Sequence, residues 1–282
     1  MAAPPDDTRV LRVTVTDQRR TGDDAIVLRV APKEPLGPIR AGRFFMLRRE
    51  DRLSPAIPRP FSIYRQLPSG ELEFLIKVMG DGTRALEASV PGTELVCIGP
   101  LGHGLPALDA EGAPWVLVGG GIGSVPFYMG IEQALLGMDG GAAVTAADMT
   151  FVYGGRTAGF LYDLDRFEAL GARCWAATDD GTAGFQGNVV QLLEARFKSG
   201  ELPEKVRLMA CGPEPMMEAV ARLAKERDLD CWLSLETLMG CGVGICNGCA
   251  VETVPGGAFG DWPVAKCCVD GPVFNARDVV LH

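Results

Sequence analysis

Through the first hundred residues, apolar and polar positions alternate with a period of two over short runs, and turn residues separate the runs. Val10 to Val15, Ala25 to Val30, Phe44 to Leu47, Phe61 to Tyr64, Leu72 to Val78 and Glu94 to Ile98 read as strands, punctuated by Gly22, Pro35, Gly37, Gly42, Gly70 and Gly92. Strands at this spacing, mostly without helices between them, predict a small antiparallel β-barrel.

The pattern changes at Pro106 to Pro114, which reads as a linker. Beyond it, short apolar runs at Trp115–Val118, Thr150–Tyr153, Arg173–Thr178 and Val206–Ala210 alternate with helical segments. These end at about Leu136, then run over about Asp163 to Leu170, Asn188 to Lys198 and Glu214 to Asp228, with Asp163 and Asn188 as N-caps. Alternation of this kind predicts an α/β doubly wound sheet. The uncharged run from Gly112 to Ile131 is nearly long enough to span a bilayer, but its six glycines and two prolines read as a strand, a tight loop and a helix start. No membrane span is expected.

The last part of the chain carries different chemistry. Cys241, Cys246 and Cys249 are separated by four and then two residues, and Cys267-Cys268 follows. This is the spacing of a plant-type [2Fe-2S] loop, in which four thiolates converge on a small inorganic core. Gly242, Gly244 and Gly248 are expected to take positive φ and bring amides close to the sulfurs. Structural zinc usually pairs its cysteines in two short knuckles, and nine cysteines, an odd number, do not suit a disulfide framework.

The chain's 282 residues suit about two domains or more, and 47% apolar with 22% charged residues suit a globular protein. A net charge of −9 argues against nucleic acid or an anionic membrane surface as partner. Met1 to Asp7 lacks the basic and apolar regions of a signal peptide, so a reducing cytoplasm is expected. His103 and His282 are the only histidines, which leaves little room for histidine metal sites or serine–histidine catalysis.

Two stretches of the barrel suit a flavin nucleotide. Arg59-Pro60-Phe61-Ser62 sets a guanidinium, a flat apolar face and a hydroxyl on one extended segment, able to meet a diphosphate and a planar ring. Gly82 and Thr83 lie where a strand gives way to the helical turn Arg84 to Glu87, and amides with a hydroxyl there suit a phosphate. Each alone reads equally as ordinary strand or turn. In the middle third, Gly119-Gly120-Gly121-Ile122-Gly123 between strand and helix is the phosphate-binding opening of a nucleotide fold, short of the strict dinucleotide fingerprint. Tyr153 to Arg156, Asp179 to Thr182 and Cys211-Gly212-Pro213 end other strands and are expected to complete a nicotinamide nucleotide pocket. For Asp179-Asp180, plain loop chemistry is an equal reading. Arg156 could meet a 2′-phosphate or simply be solvated, which leaves NADH against NADPH open.

Together these residues resemble the ferredoxin-NADP reductase superfamily and, within it, the electron-transfer subunits of two-component NAD-linked dihydroorotate dehydrogenases. The resemblance follows the chain in order through Arg59-Pro60-Phe61-Ser62, Gly82-Thr83, Pro100-Leu101-Gly102, Gly119 to Phe127, Cys211-Gly212-Pro213 and Cys268 to Phe274. It implies FAD held by Arg59, Pro60, Phe61, Ser62, Leu75, Ile76, Lys77, Gly82 and Thr83, NAD(H) at Gly119, Gly120, Gly121, Gly123, Cys211, Gly212 and Pro213, and a [2Fe-2S] cluster on Cys241, Cys246, Cys249 and Cys268. The fourth ligand is set at Cys268 by its register ahead of Gly271-Pro272-Val273-Phe274, although Cys267 beside it could compete. The implied units are an FAD barrel (1–105), an NAD-binding α/β domain (106–231) and a cluster domain (232–282).

The resemblance further implies electron transfer between NAD(H), FAD and the cluster, with no side chain as general acid or base. It implies a flavin-containing catalytic subunit as partner, in a heterotetramer of two plus two, in pyrimidine biosynthesis. Related subunits of NADH-dependent ferredoxin:NADP oxidoreductases, sulfide dehydrogenases and hydrogenases are the alternative, and a redox sensor is a more distant one. Cys97, Cys174 and Cys231 read as buried apolar residues, and Cys211 as either a nicotinamide contact or a packed thiol.

Overall fold

The computed structural model describes residues 7–51, 56–138, 143–145 and 148–281; most of the Met1 to Asp7 segment read above and His282 lie outside them. Seven antiparallel strands form the first sheet: β1 (Arg9–Thr21), β2 (Ala25–Pro32), β3 (Phe44–Arg49), β4 (Arg59–Ser62), β5 (Arg65–Gln66), β6 (Leu72–Lys77) and β7 (Glu94–Leu101). Their spatial order is β4-β3-β7-β1-β2-β6-β5, so the two edge strands are consecutive in the chain. Between them the Ile63 amide donates to Arg43 O at 2.9 Å on one side, and the Tyr64 amide donates to Glu73 O at 3.0 Å on the other. One short stretch thereby closes the curled sheet. A bulge between Val15 and Asp17 bends the long strand β1, which runs well past the expected end at Val15. Val13, Ile26, Leu28, Phe45, Phe74 and Ile76 fill the barrel at no exposure, with Phe45 and Phe74 edge to face at 5.6 Å. Helix α1 (Asp81–Glu87) follows β6.

The second sheet is doubly wound. It contains β8 (Trp115–Gly120), β9 (Met149–Gly155), β10 (Arg173–Thr178), β11 (Phe185–Gln186), β12 (Arg207–Cys211) and β13 (Asp230–Ser234), all parallel, in the order β11-β10-β9-β8-β12-β13. Helices α2 (Val125–Leu136), α3 (Leu164–Ala169), α4 (Val189–Ser199) and α5 (Glu214–Glu226) connect them. The uncharged run 112–131 thus becomes β8, a single 3₁₀ turn at Gly121–Ser124 and the first half of α2. Among the described residues no helix is long and apolar enough to cross a membrane.

Asn188 caps α4 as expected. Its side chain accepts from the Val190 and Gln191 amides, both at 3.0 Å, and Gln191 accepts in return from the Asn188 amide at 2.9 Å. Asp163 does not cap α3. It sits in the left-handed region (φ 53°) and makes no side-chain cap bond, because its carboxylate is turned toward the barrel.

After β13 the chain forms the cysteine loop, a hairpin of β14 (Ala250–Glu252) and β15 (Val264–Lys266), and β16 (Val273–Asn275). β16 lies antiparallel on β13, with Ser234 opposite Val273, Leu233 opposite Phe274 and Trp232 opposite Asn275. The C-terminal segment therefore contributes the outermost strand of the nucleotide sheet.

Candidate functional site

The cysteine loop is shaped by backbone that few residues adopt. Gly242 (φ 72°), Gly244 (φ 81°) and Asn247 (φ 56°) take left-handed conformations, whereas Gly248 does not, so Asn247 fills the role expected of Gly248. Gly242 also has no room for a side chain: a Cβ there would stand 2.6 Å from Met46 Cγ in β3. The loop is thus seated on the barrel, and the Lys266 ammonium braces it by donating to Gly244 O at 2.7 Å.

Within this frame the thiols fall into two pairs. Cys241 Sγ accepts from the Val243 and Cys246 amides, both at 3.4 Å, and the Cys246 thiol lies beside it. Cys249 and Cys268 are 3.2 Å apart, sulfur to sulfur, in a buried position. Burial pushes the Cys241 thiol up, but the amides of Cys246 and Val243 outweigh it and bring it down to about 7. Burial, and next the Cys249 thiol, push Cys268 up to about 12. Among the described residues no three His, Cys, Asp or Glu side chains converge on one ion position. Two pairs of thiols match two irons with two thiolates each better than a single tetrahedral zinc. Cys267 is fully buried and its thiol donates to Leu235 O at 3.5 Å, leaving Cys268 as the sulfur next to Cys249.

The barrel motifs meet across one groove. Arg48, Arg49, Ile57, Arg59 and Gly82 line a shallow open depression, which brings the Arg59 segment to the start of α1. The Thr83 hydroxyl accepts from the Met79 and Gly80 amides at 2.9 and 3.0 Å and donates to Gly80 O at 3.0 Å. In this structure the hydroxyl is engaged within the turn. Leu75 and Ile76 are buried, and only their backbone is free to meet a ligand. That backbone is suited to it: Leu75 to Lys77 pair with β2 on one side, while β5 reaches only as far as Glu73 on the other, leaving an open edge opposite β4 among the described strands. The Lys77 ammonium lies 5.3 Å over the Phe160 ring and 3.5 Å from Asp24.

In the doubly wound sheet the order reverses between β8 and β12, where ligands of such folds bind beyond the strand ends. Gly119 to Gly123 and Cys211-Gly212-Pro213 meet there. Their glycines serve close packing: a Cβ on Gly123 would fall 2.2 Å from Cys211 O, and one on Gly120 would fall 2.6 Å from Met216 Sδ. Burial pushes the Cys211 thiol up to about 12, making it a neutral wall rather than a nucleophile. Tyr153 is fully buried; its hydroxyl accepts from the Tyr162 amide at 2.8 Å and donates to Gly121 O at 3.1 Å, tying the glycine turn to the loop after β9. The Asp180 carboxylate accepts from the Thr182 amide and hydroxyl within its own turn, and Arg156 stacks on Phe160 at 4.4 Å.

The residues missed by the sequence reading are those whose roles depend on distant partners. Met46 floors the cysteine loop beside Leu101 of the Pro100-Leu101-Gly102 run, and Leu238, Ile245, Trp262 and Val264 are large apolar residues left exposed between positions 238 and 264. No local signal marks any of them.

Comparison with known proteins places these features in one context. Residues 236–280 match the iron-sulfur cluster binding domain of dihydroorotate dehydrogenase B, and residues 117–222 match the oxidoreductase NAD-binding domain. The chain is 34% identical over 273 residues to the dihydroorotate dehydrogenase B (NAD(+)) electron transfer subunit of Geobacillus thermodenitrificans (strain NG80-2), covering 96% of this chain and 98% of that one. A solved NADH-dependent reduced ferredoxin-NADP oxidoreductase, studied for flavin-based electron bifurcation, superposes with a TM-score of 0.78 at 26% identity, over 95% of this chain and 90% of its own. A ferredoxin NADP+ reductase from Neisseria gonorrhoeae with bound FAD and NADP shares the fold at a TM-score of 0.62 and 18% identity, over 78% of this chain and 92% of that one.

Proposed function

This chain belongs to the family of dihydroorotate dehydrogenase B electron-transfer subunits, and from that premise we propose that it moves electrons between NAD(H), FAD and a [2Fe-2S] cluster, to or from a flavin-containing catalytic subunit in pyrimidine biosynthesis. The observation that carries the reading is the joining of three cofactor-suited regions in one chain: the groove at Arg59 and Gly82, the switch point at Gly119 and Cys211, and the paired thiols of the cysteine loop.

When bound, FAD supplies the exchange between hydride and single electrons, and the cluster supplies single-electron transfer. The chain's own residues hold and shield. Arg59, Pro60, Phe61, Ser62, the backbone of Leu75, Ile76 and Lys77, and the first turn at Gly82 and Thr83 would hold the flavin. Gly119, Gly120, Gly121, Gly123, Cys211, Gly212 and Pro213 would hold the nicotinamide nucleotide. Cys241, Cys246, Cys249 and Cys268 would ligate the irons, and the amides of Val243 and Cys246 already point at sulfur. No side chain is required as acid or base. The units 1–105, 106–231 and 232–282 follow the three regions, with β13 and β16 shared across the last boundary.

The cluster segment leaves Leu238 (89% exposed), Ile245 (81%) and Trp262 (64%) as exposed large apolar residues, which suits contact with the catalytic subunit in a two-plus-two complex. Anaerobic co-purification with that subunit, followed by NAD+ reduction with dihydroorotate as donor, tests the reading. Turnover that needs both chains is expected. Bleaching of the flavin by NADH without any response to dihydroorotate would leave the electron-transfer module and overturn the partner. The likeness to the NADH-dependent ferredoxin-NADP oxidoreductase favours a second reading, to be sought then with reduced ferredoxin as donor.

A further inference from the structure

We infer that Asp163 is a positioning residue: one buried carboxylate fastens the loop after β9 to the barrel and so sets the nicotinamide edge against the strand that faces the flavin. This rests on the reading of the two nucleotide sites given above.

The geometry is unusual for a helix start. An aspartate before α3 could satisfy that helix's first amides at no conformational cost. Instead Asp163 adopts φ 53°, a region costly for residues other than glycine, and leaves the amides uncapped. Its carboxylate, on a residue only 6% exposed, collects donors from the barrel. Arg19 of β1 binds both oxygens, with 2.7 Å to Oδ1; the Thr21 hydroxyl donates at 2.6 Å; and the Tyr64 hydroxyl donates at 2.9 Å. Thr21 in turn accepts from the Asp163 amide at 3.2 Å.

Arg166, one turn on, approaches the Asp163 carboxylate at 3.4 Å and lies 3.7 Å from the second buried carboxylate, Glu73 of β6, which Arg29 also binds at 2.9 Å. Three cations and two carboxylates therefore form one network across the seam. Breaking one member of such a network leaves unpaired buried charge, which is costly.

The seam continues along the loop itself. The Asp23 amide donates to Gly159 O at 3.0 Å, and the Tyr162 hydroxyl donates to Asp24 at 2.5 Å. Gly22 and Gly159 interlock without side chains: a Cβ on Gly22 would fall 2.3 Å from Gly159 O, and one on Gly159 would fall 2.2 Å from Asp23 Oδ2. The loop held in this way follows directly on the end of β9, where Tyr153 and Gly154 pair with Gly119 and Gly120 of the switch point. On the barrel side, Tyr64 lies two residues beyond Ser62 of β4. The two cofactor-facing backbones are thus linked through one carboxylate.

The test uses the full chain with its cofactors loaded. Asp163→Asn, Asp163→Glu and Tyr64→Phe are compared with wild type by hydrogen exchange over residues 155–162 and by anaerobic rapid-mixing reduction of the flavin with NADH. FAD content and the cluster's visible spectrum serve as controls. Asp163→Asn is expected to speed exchange in the loop at least about tenfold and to lower the limiting rate of flavin reduction at least about tenfold, with both cofactors retained. Tyr64→Phe should move both in the same direction by about threefold, since it removes one neutral donor. Asp163→Glu restores the charge and should recover part of the rate.

Faster loop exchange with a reduction rate within about twofold of wild type would show a purely structural role and overturn the inference. So would unchanged exchange. Should Asp163→Asn fail to fold, Tyr64→Phe and Thr21→Val decide in the same way. A wild-type flavin that NADH does not reduce would instead sink the reading of the two sites, and this inference with it.

Discussion

Where the barrel meets the nucleotide unit, buried charges are set beside apolar packing: Asp163 and Glu73 stand among Arg19, Arg29 and Arg166, and Tyr64 packs on Tyr128 at 4.7 Å between ring centroids. Where the cysteine segment meets the nucleotide sheet and the barrel, the buried contacts are apolar and continue the sheet. Leu233 pairs with Phe274 across β13 and β16, Gly102 of the barrel leaves no room for a Cβ against Pro272, and Gly242 rests on Met46 and Leu101 of the barrel. The exposed Arg277 pairs with Asp228 and Asp230. Ionic hydrogen bonds are directional and fix an angle; apolar packing fixes a distance and tolerates changes of pH. The first seam suits two planar rings that must lie face to face. The second suits a cluster that needs only to be near.

The sharpest way to separate the two is Cys249→Ser. It should remove the cluster's absorbance and lower partner-linked turnover at least about a thousandfold, while the charged seam, and with it flavin reduction by NADH, stays intact. Partner-linked turnover that survives loss of the cluster would break the proposed relay.

Phe274→Ala attacks the apolar seam itself. Phe274 is 3% exposed and packs on Phe259 at 5.9 Å between ring centroids, so truncation should cost about 3–5 kcal/mol. Iron content and thermal unfolding should both fall, with flavin content unchanged; loss of flavin in proportion would show that the seams do not act separately.

Acid should act on the other seam. Burial alone would raise the Asp163 carboxyl, but hydrogen bonds from Arg19 and Thr21 and the Arg19 charge hold it at about 2, below its ordinary value. A lowered carboxyl stabilises the fold above about pH 4, and the contribution, roughly 2 kcal/mol, disappears as pH falls toward 2. Arg19, pushed up by its hydrogen bond to Asp163, keeps its charge throughout this window, and Tyr64, pushed further up by burial and by Asp163, stays neutral. Urea unfolding followed against pH should show this loss in wild type and not in Asp163→Asn. The β13–β16 pairing, made by residues that do not titrate, should be indifferent over the same range.

The comparison also explains what could be read in the sequence. The cysteine spacing, the period-two runs of the barrel and the alternation after Trp115 are local signals, and each appears in the structure. The Asn188 cap was legible because its partners Val190 and Gln191 are neighbours in the chain. Asp163 carries the same local signal as Asn188, yet its partners Arg19, Thr21 and Tyr64 are remote, and nothing near it in sequence announces them. The site divides in the same way. Thr83 was expected on a phosphate, but the amides of Met79 and Gly80 claim its hydroxyl. The glycines at 120 and 123 read as a phosphate loop, and they also make room for Met216 and Cys211, a packing demand that appears only once β8 and β12 lie side by side. Two-residue strands such as β5 and β11 are too short to show a period.

The placement of β16 has a consequence for the order of assembly. During synthesis the barrel strands emerge first and can pair among themselves, and the parallel strands of the nucleotide sheet follow. Cys268, Gly271-Pro272 and Val273–Asn275 come after what they meet: Cys249 in the loop, Gly102 at the barrel's end and β13 in the sheet. Cys268 itself is set beside Cys249 by the β14–β15 hairpin, where the Cys267 amide donates to Cys249 O at 2.9 Å, and β16 further on finds its edge only when β13 is already in place. The thiols proposed as iron ligands are thus gathered within the segment, and it is the docking of that segment that waits for the nucleotide sheet.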